Sequence, residues 1–406
     1  MIAKLALRNI FRTPRRTLIT VSVISFGLAS MMLVDGFILG MEDVMIRLAT
    51  EPFMGHGQIH EKDYRSSGEI EAMIKQVQSV EKSLEQEESV IGYTKRVYVN
   101  SMISSGSNVT GIQLVGIEPL GEKKCSRLEA AVTAGTPLER GQRGEILLGK
   151  DLAETLEVKL GDRVVVTAAK AYSGDLAQQL YRVRGYTEFG TRSFDQSFGF
   201  VLIEDAQDLI GAEGEAHEVV LRFRDIKFAN SMNSDQFTHI RDLGNEAKGW
   251  PELMPELQSM LDMSQYSVTI TGLILFVLVA LVLLNTIFMS LHERIFEFGV
   301  TRAIGTRASQ IFLLIMTETA CLGILSIIVG LAIGVAALSL LKHYGIDYSD
   351  LEIGGISFQD PIRPQFSINQ FTRIPLLVFC LTLIGGIIPA FSATRITPAK
   401  ALKEGK

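Results

Sequence analysis

The sequence predicts an α-helical membrane protein with four transmembrane helices and a large mixed α/β extracytoplasmic domain. Of its 406 residues, 47% are hydrophobic and only 21% are charged. Four stretches lack Asp, Glu, Lys and Arg over lengths close to or above the roughly 20 residues that span a bilayer. These stretches are Thr17–Val34, Met263–Leu291, Thr319–Leu341 and Ile374–Thr394. A buried helix in a soluble core could imitate one of them, but not four.

The apolar stretches divide the chain into nine segments. In order, they are a cytosolic amphipathic helix (1–16), transmembrane helix one (17–40), a periplasmic α/β domain (41–262), transmembrane helix two (263–291), a short cytosolic helix (292–310), transmembrane helix three (311–341), an external loop (342–373), transmembrane helix four (374–394) and a cytosolic tail (395–406). The first segment mixes apolar and basic residues, so we expect it to lie among the lipids at the membrane surface.

Charge predicts the orientation of these segments. Segments 1–16, 292–310 and 395–406 together hold 12 Lys and Arg against three acidic residues, a net charge of +9. Residues 41–265 hold 24 Lys and Arg against 36 Asp and Glu, a net charge of −12. Because basic loops stay on the cytosolic side, both termini and the 292–310 segment are expected in the cytosol and the large domain outside. The total charge of −6 gives no indication of nucleic-acid binding.

The segment between the first two spans is predicted to be a mixed domain with strands in its middle. It should begin with a helical extension of the first span, EDVMIRLA, then the strand GQIH and a helix over residues 69–89. Alternating patterns predict strands at YTKRVYVNSMIS, GIQLVGIEP, EILLG, RVVVTA, YRVRGYTEF, GFVLIE and EVVLRF, with helices at KDLAETLEV and EDAQDLIG. The stretch WPELMPELQSMLD is predicted to be a helix that runs into the second span. Cys125 is the only cysteine here, so stability must come from a hydrophobic core.

Few polar residues lie within the predicted spans. Asp35 is at the outer end of the first span. Glu318 is near the start of the third, where it could snorkel to the interface or pair with Arg302 or Arg307. Membrane-buried carboxylates are costly and often functional, but such apolar spans make a poor pore for a soluble substrate. Small residues on the third span favour helix packing. The helix-packing candidates are Gly323, Gly330 and Gly334.

Two patterns that imitate catalytic or metal sites are interpreted as structural. GEILLGKD, residues 144–151, has the spacing of a Walker A loop, but Asp151 stands where a Ser or Thr hydroxyl should hold Mg²⁺. Its middle also has the pattern of a strand and not of a flexible loop. His56 and His60 have no third ligand nearby, so no metal site is predicted. The chain is therefore expected to be non-catalytic and to bind no cofactor itself.

The segment HERIFEFGVTRAIGTRASQ, residues 292–310, leaves the membrane and returns to it after a charged, helix-like stretch. A simple turn needs only a few residues and does not need Phe296 and Phe298 beside Glu and Arg. We expect a short helix that ends at Gly305, with Thr306 capping the next helix. Aromatic and charged side chains exposed together on this helix would suit docking of a cytosolic partner.

This segment, within a layout of one span, a large domain and three further spans, resembles the MacB/LolC–LolE/FtsX superfamily of ABC transporter permeases. The residues that match the cytosolic motif of the superfamily are Glu293, Arg294, Glu297, Phe298, Gly299, Arg302, Ala303, Ile304 and Gly305, followed by Gln310 and Glu318. The ending IIPAFSATRITPAKALK and the stretches GEILLGKDLAETLEVKLGDRVVV and RGYTEFGTRSFDQSFGFVLIEDAQDLIG also resemble superfamily sequences. The resemblance covers nearly the whole chain.

The resemblance implies that residues 292–310 form a coupling helix seated on a separate ABC ATPase, which binds ATP and Mg²⁺. The implied coupling residues are His292, Glu293, Arg294, Glu297, Phe298, Gly299, Arg302, Ala303, Gly305 and Arg307. Two ATPase copies would assemble with this chain and a second permease, either a copy or a paralogue, in a bacterial inner membrane. ATP binding and hydrolysis would then move the periplasmic domain, which is called mechanotransmission.

The size of the large domain favours the lipoprotein-release or MacB-like export branch over the FtsX branch. Lipoproteins or other amphiphilic substrates would leave the outer face of the cytoplasmic membrane, with a periplasmic adaptor or lipoprotein carrier as a further partner. Two alternatives remain open. One is a membrane-anchored sensor or scaffold, including an FtsX-like regulator of a cell-envelope partner. The other is a proton-coupled carrier that depends on Glu318.

Overall fold

A computed structural model of the chain describes residues 14–190, 192–232, 237–347 and 361–395, with Arg8, Arg12 and the segments 352–353 and 356–357. The predicted amphipathic helix 1–16 and cytosolic tail 395–406 lie almost entirely outside these residues. The fold divides into two compact units. We call residues 14–44, 261–347 and 361–395 the membrane unit, and the described residues of 45–260 the large domain.

The described residues form helices and strands with the following bounds. The helices are α1 (Pro14–Ala49), α2 (Tyr64–Ser67), α3 (Val77–Glu85), α4 (Pro119–Cys125), α5 (Lys150–Thr155), α6 (Arg192–Ser197), α7 (Ile203–Ile210), α8 (Thr238–Asp242), α9 (Trp250–Leu253), α10 (Pro255–Glu293), α11 (Ile295–Ala303), α12 (Ala308–Tyr344), α13 (Ile368–Phe371) and α14 (Arg373–Thr394). The strands are β1 (Gly57–Glu61), β2 (Val90–Ser104), β3 (Val109–Ile117), β4 (Val132–Gly135), β5 (Glu145–Gly149), β6 (Arg163–Ala169), β7 (Leu176–Thr187), β8 (Phe198–Leu202), β9 (Glu218–Phe223), β10 (Asn245–Gly249), β11 (Glu352–Ile353) and β12 (Ile356–Ser357). A π-helical turn, Thr50–Met54, follows α1, and a 3₁₀ helix, Ile226–Ser231, follows β9.

Four helices in the described part of the chain are long and apolar enough to cross a membrane: α1, α10, α12 and α14. Helices α1, α10 and α12 contain 36, 39 and 37 residues. At about 1.5 Å per residue each is longer than the ~30 Å hydrocarbon core. These helices therefore continue beyond the predicted spans 17–40, 263–291 and 311–341. Apolar side chains from all four form one hydrophobic cluster, in which Leu28, Leu283, Leu338 and Val378 are buried.

The large domain is built on a ten-stranded sheet. Its strand order is β10-β1-β9-β2-β3-β8-β5-β7-β4, and β6 pairs with both β2 and β7. These pairings close a circuit of six strands, β2-β3-β8-β5-β7-β6. The β3–β8 and β5–β7 pairs are parallel and the other strand pairs are antiparallel. The main core contains buried side chains from these strands and from α5 and α7, including Val99, Leu114, Val166 and Leu209.

The predicted fold class, four membrane helices plus a large mixed α/β domain, is confirmed, but several predicted elements were wrong in extent. The helix predicted over 69–89 is limited to α3, and Gln76 before it has φ +53°, outside the helical region. The helix predicted from Trp250 into the second span breaks at Met254, because the ring of Pro255 disfavours helical conformation in the residue before it. Strands β4 and β10 were not predicted.

Candidate functional site

The segment between α10 and α12 contains a separate nine-residue helix, α11, bounded by two breaks. Arg294 leaves the helical conformation with φ −113° and ψ 10°. Gly305 has φ +105°, which a residue with a side chain would adopt only with strain. The predicted cap Thr306 was wrong. Arg307 precedes α12 instead, and its backbone N–H donates to Gln310 Oε1 at 3.1 Å.

One face of α11 carries exposed apolar side chains. Phe296, Val300 and Ile304 are 49%, 38% and 81% exposed and recur at intervals of four residues. Because residues four apart lie on the same face of a helix, they form one row, which we call the apolar stripe. Among the predicted coupling residues, the exposed ones are His292, Glu293, Ala303, Gly305 and Arg307. Val300 and Ile304 were not predicted as surface residues, although their spacing from Phe296 carried the signal.

The opposite face of α11 is buried in the membrane unit. Phe298 is only 5% exposed and belongs to the same hydrophobic cluster as Leu291 and Ile311. Gly299 is buried beside it. The prediction that Phe298 is an exposed docking anchor was therefore wrong. Two residues along a helix correspond to a rotation of about 200°, so Phe296 and Phe298 point to opposite sides.

Arg294 links the start of α11 to α12 through its guanidinium. Its Nε donates to Glu297 Oε2 at 3.1 Å, and its Nη1 donates to Glu318 Oε2 at 3.2 Å. The other oxygen of Glu297 pairs with Arg12 Nη1 at 3.0 Å. The guanidinium carbon also lies 5.1 Å from the centre of the Phe298 ring. The two arginines and two glutamates neutralise one another within one network.

The structure corrects the predicted partner of Glu318. Pairing with Arg302 or Arg307 was expected, but the carboxylate binds Arg294. Arg302 instead donates from Nη1 to the backbone carbonyl of Thr394 at 2.7 Å. It therefore fixes α11 to the end of α14 and is not a free docking side chain.

A cavity lies beside the Arg294–Glu318 pair. It is partly open to its surroundings and is bordered by α1, α10, α11 and α12. The hydroxyl-bearing residues Thr20, Ser290 and Thr319 share its walls with the ion pair. Because the pair is neutral as a unit, this cavity suits water or an uncharged polar group better than an ion.

Asp35, the second predicted membrane carboxylate, fastens α13 to α1. Its Oδ2 accepts a hydrogen bond from Gln370 Nε2 at 2.9 Å, and Gln370 is fully buried. Next to it, the backbone carbonyl of Gly36 accepts the N–H of Gln365 at 2.9 Å. These contacts give Asp35 a structural role.

The three predicted packing glycines lie where α12 meets its neighbours. A Cβ at Gly330 would lie 2.9 Å from Leu28 of α1, and one at Gly334 would lie 2.7 Å from Met32. Gly323 faces α14, where a Cβ would lie 3.1 Å from a side-chain methyl group. Small residues at these three positions permit close approach of the helices.

The two histidines considered as metal ligands, His56 and His60, do not share a site. His56 Nδ1 accepts the backbone N–H of Phe223 at 3.2 Å, and His60 Nδ1 lies 3.2 Å from Glu246 Oε1. Burial lowers the pKa of both histidines to about 4. Within the described ranges, no group of three or more His, Cys, Asp or Glu could hold a metal ion. The Walker-like stretch contains β5, a paired strand of the sheet.

Curated relatives of the chain include two components of lipoprotein-releasing systems. The transmembrane protein LolC of Xylella fastidiosa is 24% identical over 309 residues, which cover 71% of this chain and 72% of the relative. The transmembrane protein LolE of Haemophilus influenzae is 19% identical over 334 residues, which cover 80% of each chain.

Solved structures of related domains match about half of the chain. The extracellular domain of the ABC-type transporter YknZ from Gram-positive bacteria is 14% identical with a TM-score of 0.35, and the match covers 48% of this chain and 98% of that one. The periplasmic region of MacB from Actinobacillus actinomycetemcomitans is 12% identical with a TM-score of 0.37, covering 50% and 92%.

Two family models together match most of the chain. The MacB-like periplasmic core domain matches residues 17–230, more than half of the 406 residues. The FtsX-like permease C-terminal model matches residues 269–398, which include α11 and the Arg294–Glu318 pair. The chain therefore belongs to the MacB/LolC–LolE/FtsX superfamily of ABC transporter permeases.

Proposed function

We propose that α11 and the residues around it, 292–310, are the coupling helix through which this permease contacts a separate ABC ATPase. The ATPase would bind ATP and Mg²⁺ and supply the catalytic activity. Two ATPase copies would serve a pair of permeases, made of two copies of this chain or of this chain and a paralogue. The proposal follows from the family, whose members are permease components of ABC transporters.

The observation that carries the proposal is the division of α11 into two faces. The buried face, with Phe298, holds the helix in the membrane unit. The opposite face presents the apolar stripe Phe296, Val300 and Ile304 beside exposed charged residues. Contiguous apolar side chains rimmed by polar groups are typical of protein interaction sites.

The proposed docking surface requires that residues 292–310 face the cytosol. The short segments that join or flank the spans carry the excess of Lys and Arg described above, and such an excess favours the cytosolic side. The large domain, which carries the excess of Asp and Glu, would then lie on the outer face of a bacterial cytoplasmic membrane. This orientation gives the ATPase direct access to the apolar stripe.

The proposed substrates are lipoproteins or other amphiphilic molecules, released or exported from the outer face of that membrane. Two relatives are named as transmembrane proteins of lipoprotein-releasing systems, which supports this class. The membrane helices carry few polar groups, which favours movement of the large domain over conduction through a pore. ATP binding would drive that movement, and a periplasmic adaptor or lipoprotein carrier would receive the substrate.

The proposal is tested by purifying the tagged chain from its native membrane and identifying what co-purifies by mass spectrometry. We expect an ATPase in roughly equal amount, together with a permease partner and lipid-modified proteins. Phe296→Asp with Val300→Asp should remove the ATPase, because two carboxylates replace the apolar stripe. Tyr344→Asp is the control, since Tyr344 is also an exposed apolar residue but lies at the far end of α12.

The results of this purification test the docking surface and the ATPase partner separately. Loss of the ATPase only in the stripe variant supports α11 as the coupling helix. Retention of the ATPase in that variant contradicts the assignment of the stripe. Absence of any ATPase with the unaltered chain, under conditions that preserve a known ABC complex, would favour a membrane-anchored sensor or scaffold instead.

A further inference from the structure

Arg294 lies between two helices and makes contacts that hold a third. It follows the last residue of α10, precedes the first residue of α11, and pairs with Glu318 on α12. Its side chain is 17% exposed and that of Glu318 is 9% exposed, so the pair is largely withdrawn from solvent. A carboxylate this buried in a membrane helix needs a cationic partner, because an unpaired charge there is costly.

Helix α11 cannot hold its own position through the backbone alone. It contains nine residues, a length at which an isolated helix is marginal. Non-helical backbone at Arg294 and a left-handed Gly305 separate it from α10 and α12. Its orientation therefore depends on side-chain contacts. Phe298 packs in the apolar cluster, and Arg302 donates to the Thr394 carbonyl of α14. The Arg294–Glu318 pair is the ionic contact with α12.

The geometry makes Arg294 unsuitable as a docking side chain. Its Nε is engaged by Glu297 and its Nη1 by Glu318, at 3.1 and 3.2 Å. A guanidinium can bridge two carboxylates in this way because its donors form a rigid planar fork, whereas a lysine ammonium is a single point charge. The side chain thus joins the first turn of α11 to a helix that crosses the membrane.

We propose that Arg294 is a positioning residue that fixes α11 on α12 through Glu318, so that a displacement of α11 is passed to α12. This inference rests on the proposed function, in which the ATPase displaces α11. With the pair intact, α11 and α12 move together. Without it, α11 keeps its Arg302 contact with α14 and its Phe298 packing but loses its ionic link to α12, so a displacement of α11 is passed to α12 less completely.

Substitution of Arg294 and Glu318, singly and together, tests whether their contact positions α11. Methionine is an unbranched, uncharged side chain of similar length, so it removes either charge while it still fills most of the volume of the original side chain. The four chains are wild type, Arg294→Met, Glu318→Met and the double variant. Arg307→Met is the matched control for the exchange measurement alone, because it removes an exposed arginine from the same segment. Arg294→Lys keeps the charge but not the fork.

The first measurement is hydrogen–deuterium exchange of residues 295–303 in the purified full chain. Each single variant should speed exchange by about tenfold, since it removes the contact between Arg294 and Glu318. The double variant should exchange no faster than either single variant, because both substitutions remove the same contact and their effects are not additive. Arg307→Met should match wild type, and Arg294→Lys should lie between wild type and Arg294→Met.

The second measurement is MgATP hydrolysis by the complex that co-purifies with each chain. Arg294→Met should lower kcat by about fivefold with an unchanged KM, because the nucleotide binds on the ATPase and only the transmission is impaired. A change in KM alone would contradict a positioning role.

Wild-type exchange at 295–303 in both single variants, or additive effects in the double variant, would overturn the inference. Failure of the proposed function has a different signature. In that case no ATPase accompanies the wild-type chain, while the exchange measurement still decides whether Arg294 fixes α11 on α12.

Discussion

At the residue scale, Arg96 shows how the large domain tolerates a fully buried charge. Its Nε donates to Glu122 Oε1 at 2.6 Å, and its Nη1 lies 3.4 Å from Glu218 Oε1. Its guanidinium also stacks over the ring of Phe53, 3.4 Å from the ring centre. Burial raises the pKa of the Glu218 carboxyl, and the nearby Arg96 offsets part of that rise. Removing the arginine would leave two carboxylates without their cation.

Arg96→Met is therefore expected to destabilise the large domain by about 3–5 kcal/mol. Arg127→Met is the control, because Arg127 pairs with Glu51 but its side chain is 58% exposed, and exposed pairs contribute about 0–1 kcal/mol. Urea titration followed by the fluorescence of Trp250, the single tryptophan, measures both variants in the full chain. Equal midpoints for the two variants would contradict the account of Arg96.

Two buried histidines give the large domain a defined pH dependence. Burial lowers the pKa of His56 and His60 from 6.5 to about 4 in the folded state. Between pH 6.5 and 4 the unfolded chain therefore binds more protons than the folded chain at these two positions. Stability rises with pH wherever the unfolded state binds more protons, so these two groups make it fall as the pH is lowered through this window.

Each of these histidines should lower the free energy of unfolding by about 1–2 kcal/mol between pH 7 and pH 5. His60→Gln should reduce this pH-dependent loss of unfolding free energy by the contribution of His60, because glutamine does not titrate. The comparison uses urea midpoints from Trp250 fluorescence at both pH values. An identical pH dependence in wild type and His60→Gln would show that His60 does not contribute.

The limits of sequence reasoning are clearest at Phe298 and Glu318. Phe296 and Phe298 look equivalent in the sequence, and only the helix bounds show that one is exposed and the other buried. The partner of Glu318 depends on the break at Arg294, which returns that side chain toward α12. Charge and hydrophobicity predicted that these residues contribute to the site. Which residue pairs with which depends on the distances between them in the folded chain.

At the element scale, the contact between α1 and α12 depends on glycine. A Cβ at Gly330 would lie 2.9 Å from Leu28 Cδ2 and 3.0 Å from the Ser25 carbonyl oxygen. The Ser25 hydroxyl also donates to the Ser326 carbonyl at 2.8 Å, so the backbones are joined where they are closest. The backbone oxygen cannot move aside as a flexible side chain would.

Gly330→Ala is accordingly expected to destabilise the membrane unit by about 1–3 kcal/mol. Gly385→Ala on α14 is the matched control, because nothing lies within 4 Å of a Cβ at that position. Alanine has the higher helix propensity, so the control should be neutral or slightly stabilising. Thermal unfolding of the detergent-solubilised chain, followed by circular dichroism, compares the two. An unchanged unfolding temperature for Gly330→Ala would refute the tight α1–α12 contact.

Elements that follow from local pattern were predicted well, whereas those defined by distant partners were not. The apolar runs predicted all four membrane helices. A long run without charges is stable in few environments other than a membrane, where it forms a helix to satisfy its backbone hydrogen bonds. Strand β10, with the sequence NEAKG, has no β-branched residue and forms by pairing with β1. The helix predicted over 69–89 is shorter because Gln76 interrupts it.

At the scale of the whole molecule, acidic and basic residues are concentrated in different segments of the sequence. The net charge of residues 41–265 is −12, whereas the short segments that flank the spans carry an excess of Lys and Arg. Composition predicted this separation and the resemblance of the motifs indicated the family, but neither showed which face of α11 is exposed. The central claim is that the apolar stripe of α11 contacts a cytosolic ATPase.

Photocrosslinking in the native membrane tests this claim most directly. A benzophenone amino acid replaces Phe296 in one chain, and Leu176, an exposed residue of the large domain, in a control chain. After irradiation, mass spectrometry identifies the captured proteins. The account predicts that position 296 captures an ABC ATPase and that position 176 does not. Capture of the ATPase from position 176, or of none from position 296 while the ATPase co-purifies, would contradict it.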